Sequence, residues 1–461
     1  MNKRIIFLAS FFFLVIAVNS YSAAIEKLTL KEAINYTLTA NPSIKQSKNS
    51  LLTSKSQLLI ASQTTASIIG ADTSLESRNT ADNSSRTKAF GSWQYSGFGG
   101  TIGSLDLTPF TTGDTNAGFS LQFRQPFVQG RGRLSDKGSR LLDAKSQLQI
   151  QQNQTFLSGQ DAIISVVESY FNAVLAREQI KVQERSLATS QQQAFDARRR
   201  SDEGLIAEIE VSRAEIRVAQ AKDNLNRAAQ QAKGALDRLL LDIGEGMGQN
   251  PELVDAIPDT IPVLPDQDTA LGIALKNRKS LANYDIQLSN KKRSLDLASD
   301  QLRPSIDAFA NYFSSAQQNS VSRIFDNQDL TVGLEYSITL DKKIIKEQRN
   351  TTARDLDLLT QLRSYEVDKI NNDIRNAYRS LDSAKISLNI LDQNLKTAQD
   401  NLKMAQRMVE EGLSSNREVL DAQDSLSSVE NGILNARVGY YLAALNVKNA
   451  IGEDLLVTVF K

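Results

Sequence analysis

The sequence predicts a mainly α fold with a β-barrel portion: long antiparallel coiled-coil helix hairpins joined to four short amphipathic strands per chain. Three observations predict it. The chain carries an internal repeat, its helices keep a heptad over many turns, and between them the apolar period drops to two.

Residues 1–24 read as a secretory leader. Lys3 and Arg4 precede an apolar run from Ile5 to Val18, and Ser22, Ala23 and Ala24 supply the small residues of a cleavage site. The alternative, an anchor helix, asks for a run of about 20 apolar residues. No later stretch of the sequence is apolar enough for a transmembrane helix, so any membrane insertion must use strands.

The rest divides into a first repeat at 25–245, a proline-rich linker at 246–267, a second repeat at 268–452 and a tail at 453–461. Glu203 through Gly244 aligns without gaps on Glu411 through Gly452, shifted by 208 positions. Ala33, Ile34 and Leu38 match Ala270, Leu271 and Leu275 at a shift of 237, so the first copy is 29 residues longer between these anchors. Pro251, Pro258, Pro262 and Pro265 exclude long helix or central strand from the seam. Duplication of this kind implies internal pseudo-symmetry.

In the second copy Val367, Ile370, Ile374, Ala377, Leu381, Ala384 and Leu388 open a run of alternating three- and four-residue steps that reaches Val409. The spacing resumes at Val419, Ala422 and Leu426, and the first copy shows it from Val211 to Leu239. A period near 3.5 held this long specifies supercoiled helix pairs. Gly204 and Gly412 each separate an outgoing from a returning helix and supply the left-handed cap that ends it.

Strands are expected at 66–76 and 117–127 in the first copy and at 306–313 and 330–340 in the second. Leu330, Val332, Leu334 and Tyr336 alternate with Thr331, Gly333 and Glu335, as do Phe119, Leu121 and Phe123 with Ser120 and Gln122. Residues 77–116, rich in Gly, Ser, Thr and Asn, read as a long external loop. Four strands in lipid leave two open edges, and unsatisfied backbone groups there are costly. Three copies would close a twelve-stranded barrel; a soluble sheet packed on the helices is the other reading.

Composition excludes several chemistries. Cys and His are both absent, which removes zinc clusters, disulfides and Ser-His or Cys-His catalysis. The 53 basic and 53 acidic residues balance, so no bulk field favours nucleic acid. Gly130-Arg131-Gly132-Arg133 is a junction turn and not a phosphate loop. An enzyme and a bound cofactor or metal are therefore not expected.

The order helix, strand pair, long helix, Gly turn, long helix, given twice after a leader, resembles the TolC-like outer-membrane efflux protein family. Leu28-Thr29-Leu30 and Asn41-Pro42 carry the likeness at the start, Gln125-Pro126-Phe127 with Gly130 at the strand-to-helix junction, and Glu-Gly-Leu at 203–205 and 411–413 at the tips. Glu418-Val419-Leu420-Asp421-Ala422 follows the second tip. The resemblance implies a homotrimer in outer-membrane lipid with a large periplasmic tunnel. It further implies a periplasmic adaptor and an inner-membrane pump or secretion ATPase as partners, the latter supplying the energy.

The same resemblance suggests site residues. Glu418 and Asp421, one turn apart on one helix face, would stack as two carboxylate rings in a trimer and favour cations; a solvated helix face is the plainer reading. Glu210 occupies the acidic place of a polar network holding the tips shut. Ser414 stands where that network takes an Arg, and Arg417 is near enough to replace it. Gly204, Leu205, Gly412 and Leu413 would meet the adaptor. Two rival classes remain: a periplasmic adaptor without a pore, which uses one hairpin and lipoyl-like modules, and a trimeric coiled-coil stalk or adhesin, which needs no doubled pattern.

Overall fold

The computed structural model describes residues 26–77, 83–111, 118–246, 249–258, 260–315, 327–411, 413–414 and 416–459; the leader at 1–24 and the second-tip Gly412 lie outside them.

Helix lengths recur in order along the chain. Leu30–Ala40 (α1) and Pro42–Ser62 (α2) precede the 67-residue Asp136–Asp202 (α3) and the 36-residue Glu208–Ile243 (α4). Gln267–Asn277 (α5) and Lys279–Asp300 (α6) precede the 68-residue Lys343–Glu410 (α7) and the 36-residue Asn416–Ile451 (α8). At ~1.5 Å per residue α3 and α7 each run about 100 Å. For α7 such a length follows from heptad spacing with Ala at alternate seam positions, which keeps a partner close along the helix. Among the described residues no helix is long and apolar enough to cross a membrane.

Each long helix packs chiefly along two others. The half of α3 nearest the sheet packs on α2 and the other half on α4; α7 is served likewise by α6 and α8. Where α4 ends, Gly244 turns with φ +80 against the α1–α2 link, and a Cβ there would stand 2.9 Å from the Ala40 carbonyl carbon. Asn41 Nδ2 donates to the Asp242 carbonyl at 2.8 Å across this joint. Gly452 (φ +79) makes the equivalent turn against Asn277 and Arg278.

The principal core sits beside the first joint. Ile163, Val167, Tyr170, Phe171 and Val174 of α3 meet Ile34 of α1, Leu240 and Ile243 of α4, and Leu445 of α8, all buried. Lys27–Leu28 (β1) and Glu252–Leu253 (β6) cross it as a short parallel pair. Tyr170 is fully buried, its hydroxyl 3.0 Å from the Leu28 carbonyl and 3.1 Å from an Asp255 carboxylate oxygen while accepting from the Asp255 N–H at 3.1 Å. Burial pushes the phenol well above its ordinary range.

Among the described residues the sheet has six strands where the sequence suggests four. Thr65–Ser77 (β2), Asn83–Ser96 (β3), Ile102–Thr111 (β4), Gly118–Pro126 (β5), Ser305–Ser315 (β7) and Asn327–Ser337 (β8) pair in that order, all antiparallel. The segment expected to be an external loop thus holds the hairpin β3–β4. Its alternation is hidden because Gly, Ser and Thr fill it and because a register shift between Ala89 and Gly91 breaks the period. The last strand also ends at Ser337, short of the expected 340.

The sheet is two-faced. Trp93, Tyr95, Leu107, Leu121, Phe123, Leu330, Val332, Leu334 and Tyr336 occupy one face, and all are exposed in the single chain. On the other, Arg124 reaches Asp307 at 3.1 Å and also pairs with Glu335. An apolar face bare over this area needs a lipid or protein cover.

The junction from sheet to helix is tightly bonded. Gly130, in the left-handed region at φ +72, donates its N–H to the buried Asp300 carboxylate at 2.8 Å. Ser135 caps α3 by accepting from the Gly138 N–H at 2.9 Å, and its hydroxyl lies 2.9 Å from the Phe98 carbonyl and 2.7 Å from that of Gly132.

Candidate functional site: the hairpin tips

Helix α3 ends at the first tip because Gly204 adopts φ +75, which brings the Leu205 N–H to the Arg200 carbonyl at 2.8 Å. At the second tip the Leu413 N–H reaches the Met408 carbonyl at 2.8 Å, the same six-residue closure. Leu205 and Leu413 are left 65% and 70% exposed, so each tip presents an apolar side chain at the far end of the molecule from the sheet.

Just behind the tips a cleft of about 490 Å³ opens between α4 and α8. Glu210, Arg213 and Arg217 line it from one helix, and Arg417, Leu420 and Asp421 from the other. Three of the four charged residues singled out from the sequence therefore share one cleft. Glu418 is exposed and is not among its lining residues; its carboxylate accepts a hydrogen bond from the Ser414 hydroxyl.

The geometry distributes charge differently from the expected network. Glu210 pairs along its own helix with Arg213. Arg217 crosses between the hairpins, 2.6 Å from Asp424 and 3.6 Å from Asp421. Arg417 lies 3.8 Å from Asp421 on the same helix. A second bridge, Arg185 to Glu430 at 3.0 Å, ties α3 to α8 further from the tips. Asp421 thus faces two guanidinium groups, whereas Glu418 faces none of the ion pairs described.

Arg217 and Asp424 were not singled out from the sequence. A signal for opposed charge was present: the 208-residue shift aligns Arg213 with Asp421 and Arg217 with Ser425, so the copies differ in charge where their returning helices approach.

With this geometry in place, comparison with known proteins decides the family. The sequence profile of the outer membrane efflux protein family matches residues 73–245 and again 270–453. The chain belongs to that family. It is accordingly an outer-membrane protein with a large periplasmic part. It is similar to the outer membrane protein TolC of Escherichia coli K12, 22% identical over 324 residues, covering 64% of this chain and 63% of TolC. The alignment thus spans less than two thirds of that relative. A second relative is the pyoverdine export outer membrane protein OpmQ of Pseudomonas aeruginosa, 24% identical over 397 residues, covering 85% of this chain and 79% of OpmQ. In fold the chain resembles solved CusC, with TM-score 0.71 at 14% identity and 92% of each chain covered. It also resembles VceC of Vibrio cholerae, with TM-score 0.68 at 14% identity, covering 92% of this chain and 96% of that one.

Proposed function

We propose that the chain is one wall segment of a passive exit duct, conducting cargo from an inner-membrane pump and periplasmic adaptor through the outer membrane. The observation that carries this reading is the continuity of a two-faced sheet with two helix hairpins about 100 Å long. The apolar face suits lipid and the charged face a water-filled lumen. The open edges of β2 and β8 call for further copies, and a homotrimer is the assembly proposed. A pore-free adaptor or stalk leaves this sheet without a role.

Glu418 and Asp421 are proposed to form the narrow, cation-favouring end of the lumen, with Glu210 and Arg417 in the polar network beside it. The tips at Gly204, Leu205, Gly412 and Leu413 are proposed to dock the adaptor, which receives energy from its pump; the duct itself performs no chemistry.

The test uses protein extracted from outer membranes. Reconstituted in planar bilayers it should conduct as discrete steps, and a protein that inserts without conducting would overturn the duct. Gly204→Val, strained by its positive φ, should abolish export while trimers still reach the outer membrane. Export unchanged by that substitution would reduce the tip to a turn.

A further inference from the structure

We propose that residues 83–111 are a second membrane-spanning hairpin, so that each copy lays six strands into the wall and three copies close a barrel of eighteen. This rests on the duct reading above and departs from the twelve strands expected of four per chain.

The hairpin is built into the sheet and not appended to it. Strand β3 pairs with β2 from Thr65↔Tyr95 to Ser77↔Asn83, and β4 pairs with β5 from Ile102↔Arg124 to Thr108↔Gly118. Without them β2 and β5 would have no common ladder in this structure. At 14 and 10 residues, both strands meet the roughly 9–11 residues that a tilted span needs.

The turn joining them lies at the periplasmic end. Gly99 accepts from the Gly132 N–H at 3.4 Å and Phe98 lies against the Ser135 hydroxyl, so the turn rests on the start of α3. Gly100 has φ +89, and a Cβ there would fall 2.5 Å from the Gly130 carbonyl oxygen. A loop outside the cell could not make these contacts.

The hairpin also completes an aromatic girdle. Trp93 and Tyr95 stack with ring centroids 6.4 Å apart on the apolar face. They sit near the same end of the sheet as Phe123 and Tyr336 on that face, the level at which barrel strands place rings against lipid headgroups.

Finally, the widths agree. Four helices spaced ~8–10 Å occupy about 32–40 Å of circumference per copy. Six strands ~4.8 Å apart, tilted ~40°, occupy about 38 Å, whereas four would occupy about 25 Å. The outer strands β2 and β8 run in opposite directions, so the β8 edge of one copy continues the antiparallel order onto β2 of the next.

Trp93 is the sole tryptophan, so the native protein carries its own probe. In vesicles of phosphatidylcholine brominated on the acyl chains its emission should fall by about half or more, with iodide in the bulk water having little effect. Quenching by iodide and not by brominated lipid would overturn the hairpin. As a second measurement, Leu105→Cys with Leu121→Cys, directly opposed in the β4–β5 ladder, should be joined within one chain by a short thiol crosslinker in reconstituted protein. Thiols that stay unjoined would also overturn it. A protein that fails to enter vesicles at all would sink the duct reading, whereas one that inserts with Trp93 in water sinks this inference alone.

Discussion

Removing the Arg217 side chain should loosen the tips. Its guanidinium bridges the two hairpins, 2.6 Å from Asp424 and 3.6 Å from Asp421, yet the Arg is 35% exposed and the carboxylates 57% and 59%. At that exposure each pair contributes ~0.2–1 kcal/mol and not the larger figure its distance suggests. Two pairs give about 1 kcal/mol per copy, roughly a fivefold bias toward the joined state. If three copies part together, the bias is about 3 kcal/mol, on the order of a hundredfold. Arg217→Ala should therefore raise the open fraction of single channels in planar bilayers by between about fivefold, if copies part singly, and about a hundredfold, if they part together. Raising salt from 0.1 to 1 M shortens the screening length from ~10 to ~3 Å and should open the native channel in the same direction. The variant should respond to salt far less. An open fraction that Arg217→Ala leaves unchanged, with the native salt response intact, refutes the assignment of Arg217 as the clasp.

Two further expectations concern other parts of the molecule. Replacing Glu418 and Asp421 together with Ala should lower cation selectivity, read as the reversal potential across a salt gradient. Because Arg217 and Arg417 already offset Asp421, Glu418→Ala alone should cost more selectivity than Asp421→Ala alone; equal effects would refute that ranking. Tyr170→Phe leaves the Asp255 N–H without its phenol acceptor and should destabilise the fold by about 1–3 kcal/mol, seen as a lower denaturation midpoint in detergent. An unchanged midpoint would show that water replaces the hydroxyl.

The helices were legible because their information is local and repeated. Ile370, Ile374 and Leu381 were read as seam residues and are buried in the structure. A heptad recurs often enough to survive individual substitutions, and Gly204 marks its end by a backbone need that only the sequence position had to reveal. The hairpin β3–β4 was not legible. A strand presents only one short alternating face, and Gly91, Ser92 and the register shift beside them erase even that. At the tip, Asp421 could be found from its place after Gly412, but Arg217 could not, since its partners lie 204 and 207 positions away on the other copy. Periodicity reports which face of a helix is buried; it is silent on which neighbour a long side chain reaches.

The butt joints at Gly244 and Gly452 have a mechanical consequence. On one side of the wall α3 and α7 run as unbroken spars, while the companion rail is spliced from two lengths that meet end to end. A continuous helix resists flexure through its whole hydrogen-bond ladder, but a splice holds through packing and single bonds such as that from Asn41 to the Asp242 carbonyl. At this level the buried cluster of Tyr170, Phe171, Leu240 and Ile243 braces the first splice from the side. A rotation at the splices would leave both the long helices and the strands intact, and leverage over the remaining length would turn a small angle there into a wide sweep at the tips.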